Sequence, residues 1–146
     1  MKAPPASVLL GPTSATRRAF LAAAALVLIA GAAHTAPPTV EIVAYAHPPV
    51  QSALKPPRDW LAAQGNKVKV TEVDLDTPAG EKRLQAPGVK GHEAVVVLVD
   101  GQYRHRRADG TTVEFVSFPA GPGTPPGVKG TWSAEDVQAA IRSRAP

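Results

Sequence analysis

The chain has 146 residues, no cysteine, 16 basic against 12 acidic side chains and a formal net charge of +4. The missing cysteines exclude a thiolate nucleophile, sulfur-ligated metal, disulfides and a lipid-modified cysteine anchor, so stability rests on packing alone. Lys2, Arg17 and Arg18 lie near the start and every acidic residue follows Pro38; from there on, thirteen basic residues face twelve acidic ones, a net +1. Such a balance lacks the basic surface that nucleic-acid binding draws on.

Residues 1–36 read as an export signal with a short lead-in. Thr16-Arg17-Arg18-Ala19-Phe20-Leu21 runs into Ala22-Ala23-Ala24-Ala25-Leu26-Val27-Leu28-Ile29-Ala30. This resembles a twin-arginine export signal, with Arg17, Arg18, Phe20 and Leu21 as its motif. Small residues at Ala30-Gly31-Ala32 or Gly31-Ala32-Ala33 suit cleavage. Ala22 stands where a lysine often sits, and no basic residue follows the apolar run, so the general secretory route is the alternative. Both routes imply a periplasmic or secreted protein. The apolar run is shorter than the roughly twenty residues that span a bilayer. Membrane contact is therefore expected only through an uncleaved signal.

Residues 37–146 are long enough for one domain with one core. Val40 to Ala46 is β-branched and apolar, a first strand ended by His47-Pro48-Pro49. A helical segment follows with Trp60 and Leu61 as its buried stripe. Pro56-Pro57 requires it to start afresh or kink there, since proline is tolerated in a first turn and not in an interior. Lys67 to Leu75 is a second strand whose apolar parity switches between Val70 and Val73, suggesting a bulge or an early end. Thr77-Pro78 caps a short helix that carries Leu84 inward.

Ala94 to Val99 is an unbroken apolar run, the mark of a strand covered on both faces. Asp100-Gly101 forms a hairpin turn into a polar partner strand, Gln102 to Arg107. Asp109-Gly110 offers a second turn, after which Thr112 to Phe118 can add an edge strand. Pro119 to Gly130, with four prolines and four glycines in twelve residues, must be irregular. Ser133 caps the last helix, Glu135 and Asp136 suit its positive end, and Trp132 can staple onto Val137.

This order, strand–helix–strand–helix–strand–strand–helix, resembles a thioredoxin-like fold, an α/β three-layer βαβαββα sandwich. The first strand meets His47-Pro48-Pro49-Val50 where that family places Cys-x-x-Cys. Lys55-Pro56 and Trp60 lie in the next helix, and Val89-Lys90-Gly91 leads into the third strand. His92-Glu93 occupies the place of an apolar residue and the family's cis-proline. The resemblance implies the fold without dithiol exchange, because the attacking thiolate is absent.

It also brings the candidate binding loops, His47, Pro48, Pro49 and His92, Glu93, to one end of the sheet. Two expectations follow. A redox-inactive binding or accessory module would hold a periplasmic protein or peptide by backbone pairing at a sheet edge. Alternatively, His47, His92 and Glu93 would bind zinc or copper, for which imidazole nitrogen is a suitable ligand. In isolation, the same residues read simply as a strand end and a solvated turn. Catalysis is not expected. The chain has no Gly-x-Ser-x-Gly elbow, phosphate-cradling loop or HExxH helix. Glu72, Asp74 and Asp76 alternate along one strand face beside Lys67 and Lys69, and Arg104, Arg106 and Arg107 mark a charged hairpin edge.

Overall fold

A computed structural model of the chain describes residues 36–89 and 93–144. The export motif Arg17, Arg18, Phe20 and Leu21, and His92 of the candidate binding loop, lie outside the described residues. The elements run β1 (Thr39–Ala44), α1 (Pro48–Ala53), α2 (Lys55–Gln64), β2 (Lys69–Asp74), α3 (Pro78–Gln85), β3 (Val95–Val99), β4 (Arg104–Arg106), β5 (Thr112–Glu114) and α4 (Ala134–Arg142). The class is mixed α/β.

The main sheet has the order β2-β1-β3, with β1 parallel to β2 and antiparallel to β3. Its central position explains the composition of β1: Val40, Ile42 and Ala44 face one layer and Val43 the other, all buried. β3 is buried at all five positions, as its continuous valine-rich run requires. On one face, Val50, Leu54 and Leu61 of α1 and α2 and Val137, Ala140 and Ile141 of α4 pack against Val40, Ile42, Val95 and Val97. On the other, Leu84 of α3 joins Val43, Leu75, Val96 and Leu98.

The region after β3 departs from the expected hairpin. Asp100-Gly101 does make the two-residue turn: Val99 and Gln102 exchange both backbone hydrogen bonds, at 2.9 and 3.0 Å. Pairing then stops. β4 forms a separate two-stranded sheet with β5, and the neighbour of β3 is the segment Phe115–Ser117. There the Val97 N–H donates to the Phe115 carbonyl at 2.9 Å, and the Ser117 N–H to the Val95 carbonyl at 2.8 Å. A strand buried on both faces needs a neighbour that supplies apolar side chains to both. Phe115 and Val116 do this, one in each core cluster. Arg104 and Arg106 are exposed and cannot.

The second strand also differs from expectation. β2 keeps unbroken register with β1 from Thr39↔Lys69 to Ala44↔Asp74, so there is no bulge. Its parity switch reflects which face is covered at each end. Val68 packs toward the α2–α4 layer and Leu75 toward α3, while Val70 between them stays 40% exposed. The proline pair is accommodated by a fresh start: α1 ends at Leu54, and Pro56 and Pro57 fall in the first turn of α2.

The helix starts read correctly. Thr77 Oγ1 accepts from the Gly80 N–H at 3.1 Å. Ser133 Oγ accepts from the Asp136 N–H at 3.3 Å, and Asp136 Oδ2 accepts from the Ser133 N–H at 3.0 Å, a complete capping box. The Pro/Gly stretch is irregular and has a built form. Two successive turns, Gly121-Pro122-Gly123-Thr124 and Pro125-Pro126-Gly127-Val128, each close with a backbone hydrogen bond. Gly123 and Gly127 stand at φ +86° and +83°, the left-handed position that follows proline in a type II turn. The loop ends meet where the Ala120 N–H donates to the Trp132 carbonyl at 2.6 Å.

Candidate functional site

The end of β1 lies beside the start of β3, where the Tyr45 N–H donates to the Ala94 carbonyl at 3.3 Å. The chain segments that carry His47 and Glu93 therefore adjoin. His47 is the extended residue before α1, exposed, with its ring stacked on Tyr45 at 5.2 Å between centroids. Its side chain makes no capping bond, and Pro48 needs none because it brings no N–H to the first turn. Pro48 and Pro49 are exposed beside it. Among the described residues, no three His, Asp or Glu side chains lie close enough to share a metal ion.

Glu93 opens instead onto a cleft of about 410 Å³ on the α3 side, with Gly88, Val89, Tyr103, Arg104, Glu114 and Val116. Its walls are mixed. Val89, Tyr103 and Val116 belong to the smaller core cluster and present apolar surface. Arg104 pairs with Glu114 at 2.6 Å and lies 5.1 Å from the Tyr103 ring centroid. The hydrogen bond from Arg104 to Glu114 raises the guanidinium's pKa, so its charge is fixed. Among the described residues, no serine, threonine or histidine lines the cleft.

Val116 is the unusual member. As the middle residue of a non-hydrogen-bonded pair with Val96, it turns its own backbone N–H and C=O away from β3. Neither group has a hydrogen-bond partner among the described residues. Among the described residues, Val116 thus presents a short unpaired edge of the main sheet to the cleft. Sequence pattern gave Val89 and Arg104 a place near this region but offered no signal for Tyr103, Glu114 or Val116, which depend on the β4–β5 excursion.

Glu72, Asp74, Arg106 and Arg107, also singled out in the sequence, are engaged structurally. Glu72 accepts both guanidinium hydrogen bonds of Arg58, at 2.8 and 2.6 Å, while Arg58 also donates to Gln51 Oε1 at 2.7 Å. Asp74 Oδ1 accepts from the Asp76 N–H at 2.9 Å within a tight turn. Arg107 makes a forked pair with Asp136 at 2.7 and 2.8 Å, and Arg106 Nε donates to the Gly110 carbonyl at 3.2 Å. His105 stacks on Phe115 at 4.9 Å, with Nε2 2.8 Å from the Gln102 carbonyl. Arg106 and Arg107 are therefore bracing for the fold.

Comparison of the chain with protein-family models, with curated proteins and with solved structures finds no match.

Proposed function

We propose that the chain is an exported, thioredoxin-like module without redox chemistry that binds an extended peptide segment of a periplasmic protein. Export rests on the Arg17-Arg18 motif and the apolar run behind it. The fold assignment is supported by a parallel β1–β2 pair, antiparallel β1–β3 and β3–(115–117) pairs, helices on both faces and a closing helix α4. The absence of cysteine removes thiol exchange and leaves recognition as the task of the exposed end of the sheet.

The observation that carries the binding reading is the Val116 backbone in the cleft wall, whose N–H and C=O have no partner among the described residues. A peptide strand laid there would pair with that N–H and C=O, adding to the sheet edge. Val89 and Tyr103 would cover its apolar side chains, and Glu93 and Arg104 would select charge at either end. The test is amide chemical-shift mapping with a pool of unstructured peptides, using the whole chain and Val116→Pro. Shifts should centre on Val116, Val89 and Tyr103, and Val116→Pro should abolish them while the other amide signals stay dispersed. Shifts elsewhere, or binding that survives Val116→Pro, would refute edge pairing.

A further inference from the structure

We infer that a second cleft, between α2 and α4 at the opposite end of the sheet from His47, binds a small organic monocarboxylate with an apolar body. The cleft has a volume of about 280 Å³. Its walls are Pro38, Trp60, Val68 and Ile141, and its polar groups are Gln64, Lys67 and Arg142. Val68 and Ile141 are only 6% and 5% exposed, so the floor is continuous with the main core. Trp60 packs against that core from the side.

Charge decides the ligand class. No acidic side chain lines the cleft. Lys55, Arg58, Arg83, Arg104, Arg107 and Arg144 are within ion-pair distance of a carboxylate, whereas Lys67 and Arg142, like Lys69, Lys82, Arg106 and Lys129, have no such partner among the described residues; what sets Lys67 and Arg142 apart is that both line one apolar cleft. The Arg142 guanidinium lies 5.8 Å from the Trp60 ring centroid, and one Nη donates to Gln138 Oε1 at 3.2 Å. The ring contact and that hydrogen bond hold the guanidinium at the cleft and leave its other N–H groups without a partner among the described residues. A planar fork of this kind matches a carboxylate. Two cations over an apolar floor favour a monoanion with a hydrocarbon body, and they disfavour cations and strongly hydrated polyols. This site shares no residue with the peptide cleft, so the two readings stand or fall separately.

The experiment titrates the whole chain with 4-phenylbutyrate and decanoate, and with the neutral 4-phenylbutanol, and reads amide and indole N–H shifts. Both acids should saturate, with shifts confined to Trp60, Gln64, Lys67, Val68, Ile141 and Arg142. The alcohol should bind at least about tenfold more weakly, the loss expected for one charge-assisted contact. Arg142→Gln should weaken the acids by about the same factor while leaving all other amide positions unchanged. Arg106→Gln, a cation outside the cleft, should leave affinity unaltered. Equal binding of acid and alcohol, shifts centred elsewhere, or no saturation by either acid below about 10 mM would overturn the assignment.

Discussion

The two ends of α4 carry similar residues and put them to different use. At the N-terminal end the polar groups serve one another: Ser133 and Asp136 cap each other, and Arg107 forks onto Asp136. Beneath them, the indole N–H of Trp132 donates to the Ser117 carbonyl at 3.0 Å. At the C-terminal end Arg142 rests on Trp60 beside Lys67, with no carboxylate to neutralise either cation among the described residues. A cluster of arginines in sequence therefore says little until the partners are known. Arg106 and Arg107, dense in sequence, are spent on folding, while isolated Arg142 keeps donors to offer.

Substitutions at each end sharpen this contrast. The largest expected effect is at Trp132, 1% exposed and tilted against Phe115 at 5.7 Å. Trp132→Ala should cost about 3–5 kcal/mol in urea denaturation through the cavity it leaves. That is a large part of the ~5–15 kcal/mol that holds a typical domain together.

Asp136→Ala removes half of the capping box and the acceptor for Arg107, and should cost on the order of 1–2 kcal/mol. It carries a pH signature. The hydrogen bond from Arg107, followed by the bonds from Ser133, holds the Asp136 carboxyl below the usual aspartate range. Its contribution is thus complete above the unfolded value of about 3.9, and it is lost as pH falls from there through the lower folded value. The stability gap between wild type and Asp136→Ala should be constant near neutrality and close in acid. A gap that persists unchanged at the acid end would assign the effect to packing instead.

The smallest effect belongs to Arg142→Gln. The side chain is exposed and makes no ion pair among the described residues, so stability should move by less than about 0.5 kcal/mol. A loss comparable to that of Asp136→Ala would mean that the two ends of the helix are alike after all.

Local chemistry was legible in the sequence. Thr77-Pro78 and Ser133 start their helices as read, because a cap depends only on residues a few positions away. The continuous run at 95–99 identified a strand buried on both faces, and Asp100-Gly101 its turn. What could not be read was which segment would lie beside that strand. Gln102 to Arg107 follows the turn directly, yet Phe115 and Val116 win the place because they fill both layers. The cleft at Val116 was hidden for the same reason, since Tyr103, Glu114 and Val116 meet only after the chain has left the sheet and come back. Adjacency of the segments bearing His47 and Glu93 was anticipated; that Glu93 would line the α3-side cleft was not.

The Pro/Gly segment closes on itself between Ala120 and Trp132, and Gly123 lies so near the Ser52 carbonyl that any Cβ there would collide with it. The twelve residues thus act as a clasp fastened to α1, adding almost no reach to the polypeptide. The exposed tip at Pro126-Gly127 lies beyond that fastening. A reporter or affinity handle spliced into the tip would ride outside the framework, whereas one placed at Gly123 would pry the clasp from its seat.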